Sequence, residues 1–374
     1  MAADIFVWAT ILWMVVVKVA SPETDANLLF KIASDALALV ASYMAARSFF
    51  YGEHSVNEFV RALKFIAIAV IALSVLDTLS GTHITNELVK TFFNIPKPDR
   101  PEPAELHRNL FGIQVIRAES IFPHPILYGI FCSLAATIFV YLERSITQRI
   151  FFFGICLFGC LLSVSSAAVL GFVLLVAVYS YDCVLGSYSA RWKIFTIVTT
   201  ATIAASFIVS NNPITWLLRH ATIDPADGYY RLLTWTNAFD YIVRSPIVGA
   251  DSSSWASNDI LGNTIDSVWL VLALTYGVPM IILLLLTNLF ACGVFGKKFN
   301  RRPIDHEILR SRTAFSLVLF LFVSLGITVH FWSSIWLFWG LCIGIRTSLE
   351  EYYLADPSQK SSPKNLRPSF ARLH

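Results

Sequence analysis

About ten apolar stretches, each near the length needed to cross a bilayer, follow one another along the 374 residues of this chain, and this succession constrains the fold more than any motif. A helix rises 1.5 Å per residue, so about 20 apolar residues cover roughly 30 Å of hydrocarbon. The stretches run approximately over 4–20, 28–50, 62–80, 123–142, 150–164, 166–184, 194–210, 266–292, 313–329 and 333–348. The run from Ile150 to Tyr179 is broken only by Ser163, Ser165 and Ser166, too long for one ordinary span, and reads as a tight helical hairpin. With 56% hydrophobic residues, 14% charged residues and a mean hydropathy of +0.64, the chain belongs in a membrane. The expected fold is an all-α polytopic membrane protein of about 10 transmembrane helices, with residues 1–357 forming a single integral membrane domain.

Lys and Arg near span ends favour the cytoplasm, which sets the expected orientation. Placing both termini inside puts Arg47, Arg61, Lys64, Arg144, Arg149, Arg191, Lys193 and Arg346 in the cytosol. The cluster Lys297, Lys298, Arg301, Arg302, Arg310 and Arg312 joins them, with the tail residues Lys360, Lys364, Arg367 and Arg372. Residues 358–374 read as a disordered basic cytoplasmic tail. The polar segments 81–122 and 211–265, together with the Ser163–Ser166 turn, then face outward, where three elements can converge.

Other signals are sparse. The first span is followed by Ser21-Pro22-Glu23, without a small-residue cleavage site, and is expected to stay as an anchor. The cysteines Cys132, Cys156, Cys160, Cys183, Cys292 and Cys342 lie in or beside apolar spans and read as packing residues. No metal-ligand spacing is present, so no metal and no cofactor is expected, and neither is a nucleic-acid partner.

The chemistry-bearing residues gather on the outward side. Phe122-Pro123-His124-Pro125 opens the fourth span, and Pro at a first turn marks a helix N-terminus, whose unpaired N–H groups suit a phosphate or pyrophosphate. Arg117 lies just upstream, and Ser165 and Ser166 begin the sixth span in the same way. In the long loop, Asp224-Pro225-Ala226-Asp227-Gly228 reads as a turn before a helix from about Tyr229 to Arg244. Leu232, Trp235, Phe239, Ile242 and Val243 form an apolar face to lie along membrane lipid. Arg231, one turn before Trp235, can sit over the indole or reach an anion. Arg244 is a weaker candidate of the same kind. Pro246 to Asp251 reads as a turn, and Asp266, at the outer start of the next span, is an N-cap or a general base. His220 and His330 also face outward.

Taken together these stretches resemble the bacterial O-antigen ligase and polymerase family, multispanning glycosyltransferases working at the periplasmic face of the inner membrane. The pattern is Arg117, then Phe122-Pro123-His124-Pro125-Ile126-x-x-Gly129, Leu162-Ser163-Val164-Ser165-Ser166-Ala167, Arg231-x-x-x-Trp235 and Pro246-x-x-Gly249. It continues with Asp266-Ser267-x-x-Leu270 and Tyr276-Gly277-Val278-Pro279, and covers about Arg117 to Leu285.

The resemblance implies a fold like the polytopic GT-C glycosyltransferases and a metal-independent, inverting transfer from an undecaprenyl-diphosphate-linked oligosaccharide in surface polysaccharide synthesis. Arg117, Arg231, Trp235, Arg244, Ser165 and Ser166 would bind the diphosphate and sugar, and His124 or Asp266 would take the acceptor's proton. Other polysaccharide assembly proteins would be partners. Two positions depart from the family: Ser166 stands where an Arg is usual after Ser165, and Asp266 stands where ligases have a His. The second departure favours a repeat-unit or exopolysaccharide polymerase over a ligase acting on lipid A core. A flippase of lipid-linked sugars and a non-catalytic assembly subunit are the readings from other classes; the scarcity of charge inside the spans argues against transport.

Overall fold

The computed structural model describes residues 1–19, 26–93, 107–110, 113–188, 190–209, 225–250, 255, 261, 265–293 and 306–354. Four helices lead the chain: α1 (Ala2–Val19), α2 (Ala26–Phe49), α3 (Glu53–Ser80) and α4 (Ile84–Phe93). A short antiparallel hairpin follows, β1 (His107–Leu110) with β2 (Ile113–Ile116), pairing His107 with Ile116 and Leu110 with Ile113. Then come α5 (Pro125–Leu142), α6 (Ile146–Leu162), α7 (Ser166–Val184), α8 (Arg191–Val209) and α9 (Pro225–Arg244). The last four are α10 (Val268–Tyr276), α11 (Val278–Ala291), α12 (His306–Leu325) and α13 (Ser334–Leu354). Five of these, α1, α3, α5, α7 and α12, are long and apolar enough to cross a membrane, and α6 and α11 are shorter apolar helices. The chain is a largely helical protein of membrane-spanning character.

The helices follow the hydropathy closely, with informative departures. The Ile150–Tyr179 run does form a hairpin, α6 and α7 joined at Ser163-Val164-Ser165. The apolar run 266–292 is not one helix: it breaks at Gly277, whose φ of +79° only glycine adopts without strain. A Cβ there would stand 1.9 Å from Ile247 O. The turn at Pro246–Gly249 fills the break, Val278 N donating to Pro246 O at 2.8 Å and Ala250 N to Leu274 O at 2.8 Å. Backbone groups freed by a break at membrane depth must find partners inside the protein, and this turn supplies them. The segment 81–122 holds α4 and the β-hairpin, neither of which hydropathy reveals; the hairpin is a pair of four-residue strands on a fold that is otherwise helical, consistent with the all-α expectation. The long-loop helix starts at Pro225, so Asp227 and Gly228 lie in its first turn instead of a preceding turn. Asp224, His220, Asp251, the 297–302 basic cluster and the 358–374 tail lie outside the described residues.

The core centres on α5, whose Leu127, Ile130, Leu134, Ile138 and Phe139 are fully buried, and on Trp339 of α13. Phe322 stacks on Trp339 at 5.3 Å, and Trp339 Nε1 donates to Asn288 Oδ1 at 3.0 Å. Close approach is bought by small residues: a Cβ on Gly340 or Gly344 of α13 would collide with Ser42 or Ala46 of α2.

The two ends of the bundle differ in chemistry. At one end Arg310 donates to Tyr141 O at 2.7 Å, Lys64 pairs with Glu143 at 2.6 Å, and Arg144 pairs with Glu53 at 2.7 Å. Arg346 and Arg312 share Glu350, and Arg47 joins Asp4, Ser348 and Glu351. Six of the residues expected on the cytoplasmic side thus share ion pairs and hydrogen bonds with helix ends on one side of the molecule. The other end, one α5 length of about 27 Å away, carries His124.

Candidate functional site

Arg117 reaches the 163–166 turn through two links. Ala118 N donates to Leu162 O at 3.0 Å, and Arg117 Nε donates to Ser163 O at 3.5 Å. Both residues are buried, Arg117 at 5% exposure. Ser163 itself sits in van der Waals range of Gly129 on α5, where any side chain would strike Ser163 Oγ at 2.4 Å. The Gly129 gap therefore lets the α6–α7 turn press against the start of α5. Ser165 caps α7, its hydroxyl accepting from Ala168 N at 3.5 Å, and both Ser165 and Ser166 are buried. His124 caps α5 through Nδ1, which accepts from Ile126 N at 3.1 Å. Burial and, secondarily, the charge of Arg117 push its pKa from 6.5 down to about 3, so the imidazole stays neutral at physiological pH.

The segment ahead of Arg117 and His124 is anchored from below. Asp77, fully buried near the end of α3, accepts from Thr85 N at 3.0 Å, Thr85 Oγ1 at 2.8 Å and Ser120 N at 3.0 Å. Glu119 faces His83 at 3.4 Å and bonds Asn86 of α4. One buried carboxylate thus ties α3, the entry to α4 and the Arg117–His124 segment together.

A second group forms where α9 rests on α10. Arg231 is buried while Asp266 keeps 41% of its side chain exposed, and Arg231 Nε stands 3.8 Å from Asp266 Oδ2. That nitrogen makes no hydrogen bond among the described residues. Ser267 caps α10 by accepting from Leu270 N and donates to Gly326 O at 3.0 Å. Val268 N bonds Gly326 O and Val329 O, so Asp266 hangs from the segment joining α12 to α13.

That segment connects the two groups. His330 stacks on Trp332 at 5.5 Å, and Trp332 meets His124 edge-on at 6.0 Å. Arg117, His124, Ser165, Asp266 and Arg231 therefore lie along one continuous chain of contacts at the end opposite the saturated arginines. The non-glycine residues with positive φ, among the described residues, are Ser120 at 54°, Val164 at 46° and Ser333 at 54°. All three fall in the three segments that build this cluster. Left-handed backbone is unfavourable for L-residues, and for a β-branched Val it is a true outlier; strain of this kind collects where a site must be held in shape.

The remaining sequence candidates are placed differently. Trp235 packs with Ala238, Leu261, Leu270 and Leu274 in a satellite core, so its indole is spent on holding α9 to α10, and Arg231 turns to Asp266. Arg244 is exposed and lies 5.6 Å from the Tyr241 ring. The α9 apolar face is divided: Trp235 and Ile242 face the satellite core, whereas Phe239 and Val243 are about 60% exposed and continue into exposed Ile247 and Val248. Residues that the sequence pattern did not single out are Asp77, Glu119 and Trp332. An acidic residue inside an apolar span was the available signal for Asp77; nothing in the local pattern marks Trp332. Among the described residues no group of His, Cys, Asp and Glu could hold a metal ion. No family model matches the chain, and no curated protein matches it.

Proposed function

We propose that the chain is a glycosyltransferase of the bacterial inner membrane, with about ten spans, both termini in the cytoplasm and the Arg117–His124–Asp266–Arg231 cluster at the periplasmic face. It transfers an undecaprenyl-diphosphate-linked oligosaccharide during surface polysaccharide synthesis, as a repeat-unit polymerase in the first instance and a ligase to lipid A core as the alternative. The acceptor hydroxyl oxygen attacks the anomeric carbon, the bond from that carbon to the diphosphate oxygen breaks, and undecaprenyl diphosphate leaves with the bonding pair. The acceptor's proton goes to a carboxylate, for which half-exposed Asp266 is suited. Arg117 and Arg231 offset the charge that develops on the leaving group, the work a metal does elsewhere.

The observation that carries this reading is the convergence of two buried arginines, two helix N-termini and one accessible carboxylate at one end of the bundle, framed by the three strained non-glycine residues among those described. The test is polymer analysis in a deletion strain complemented with Arg117→Ala or Arg231→Ala at wild-type protein level. Accumulated lipid-linked single repeats without long chains is the expected outcome; full polymer from both variants would sink the diphosphate assignment.

One observation favours transport of lipid-linked sugars as the second reading. The break at Gly277 lies beside Tyr276, with Lys18 Nζ 5.7 Å from its ring, and Asp35 lies nine residues into α2. A broken helix with intramembrane charges is a feature of transporters. Against it, the Pro246–Gly249 turn already occupies the break. Loss of lipid-linked repeats from the outer leaflet in Lys18→Met or Asp35→Asn, with Arg231→Ala silent, would turn the reading to transport.

A further inference from the structure

We infer that His124 acts as a neutral hydrogen-bond donor, through Nε2–H, to a diphosphate oxygen of the leaving group, and that it is not the general base. The inference rests on the reaction proposed above and decides between the two groups able to take the acceptor's proton.

The geometry is that of the helix cap. His124 Nδ1 lies 3.1 Å from Ile126 N, and an amide N–H only donates, so Nδ1 must present its lone pair. A neutral imidazole carries one proton; with Nδ1 accepting, that proton sits on Nε2. For Nε2 to act as a base the proton would have to move to Nδ1, setting two N–H groups against each other and leaving the Ile126 amide without its cap. The charged alternative, with protons on both nitrogens, loses the same cap and adds a second positive charge, at a half-buried position, to that of Arg117. Among the described residues, the charge that acts on the ring is that of Arg117 on its own segment, and His330 lies across Trp332; neither is a carboxylate that would draw a second proton.

The N-terminus of α5 supplies no ligand argument alone; the second observation is the ring itself, held edge-on by Trp332 with its Nδ1 committed. The free edge of such a ring is a fixed donor. Next to Arg117 it recognises an anionic oxygen, and hydrogen bonding there strengthens as negative charge builds on the leaving diphosphate. No proton leaves His124 in the step: the acceptor's proton passes to Asp266, and Nε2–H only bonds the departing oxygen.

The experiment is 15N-histidine NMR of the full chain in lipid nanodiscs, with and without inorganic pyrophosphate, His124 being assigned by its absence in His124→Gln. It is paired with transfer rates for His124→Gln, which keeps a donor where Nε2 stands, and His124→Asn, which keeps a capping oxygen only. The expected result is a neutral ring protonated at Nε2 from about pH 5 to pH 8, the window in which histidine normally titrates, with that signal moved by pyrophosphate. Transfer is expected within about tenfold of wild type in the Gln variant and down about 100-fold or more in the Asn variant, the scale for loss of one oxyanion donor. An Nδ1-protonated ring, a titration inside that window, an Nε2 signal indifferent to pyrophosphate, or Gln and Asn variants equally inactive would each overturn it. A wild-type chain that transfers no oligosaccharide fails the reaction, whereas the pyrophosphate response of Nε2 is read independently of turnover.

Discussion

The two ends of the bundle use arginine in opposite ways. At the end where α1 begins and α13 finishes, Arg346 is 2% exposed and donates to Ser316 Oγ, Glu350 Oε2 and Cys292 O at 2.7 to 2.8 Å, and Arg47 donates to Asp4, Ser348 and Glu351. At the other end Arg231, about as buried, has its ion partner at 3.8 Å and an Nε without a hydrogen bond among the described residues. A guanidinium with all three nitrogens engaged is a staple; one held loosely beside a half-exposed carboxylate retains capacity for an anion. Backbone strain follows the same division, since Ser120, Val164 and Ser333 all sit at the loosely paired end.

The largest effect expected from this contrast is on turnover. Asp266→Asn should lower transfer by about 100- to 1000-fold, with Arg231→Lys nearly as damaging because a lysine cannot reproduce the planar fork, while thermal melting of either variant stays near wild type. Initial rates with purified lipid-linked donor would check it, and normal rates in both would erase the distinction between the ends. At the saturated end the effect should reverse: Arg346→Met leaves Glu350 to Arg312 alone and removes the bonds to Ser316 and Cys292 O, which should lower stability by about 1–3 kcal/mol, while protein that folds keeps its rate. Equal loss of rate and stability would show the ends to be coupled.

Gly277→Ala should cause loss of folded protein on a similar scale. The new methyl meets Ile247 O and forces the Pro246–Gly249 turn out of the break, so fluorescence-detected size exclusion would show reduced monodisperse yield. The pH dependence of stability should bear the sign set by His124. Its folded pKa, about 3, lies below the value of 6.5 for the free side chain, so the unfolded chain binds more protons between them. Stability from this group is complete above about pH 6.5 and declines as pH falls toward 3, and His124→Gln should flatten that part of a melting-temperature curve. The smallest effect is expected from Val164→Gly. Relief of left-handed strain, about 1–2 kcal/mol, is partly offset by glycine's entropy, about 0.5–1 kcal/mol, leaving a slight gain in melting temperature. A loss would mean that Val164 earns its place by packing.

Sequence reading reached some elements of this architecture more readily than others. The α6–α7 hairpin was legible because three serines interrupt a run too apolar to leave the membrane, and α5 because proline at a first turn has one structural meaning. The break at Gly277 was not: Tyr276-Gly277-Val278-Pro279 is compatible with a kinked helix, and only the Pro246–Gly249 turn, thirty residues upstream, makes a full break tolerable. Trp235 reads as a partner for Arg231 because one helical turn separates them, yet the apolar surface of α10 offers the indole a better burial than a cation does.

Hydropathy and the distribution of charge were sufficient to dictate a helical membrane protein, the approximate ends of its helices and the candidacy of Arg117, His124, Arg231 and Asp266, because lipid imposes length and backbone satisfaction segment by segment. The tertiary structure alone decided that Arg231 meets Asp266, that Trp332 bridges His124 and His330, and that Asp77 anchors the segment between them. Such pairings join residues dozens to hundreds of positions apart, and they follow from how packed helices bring distant ends together, which no local pattern encodes.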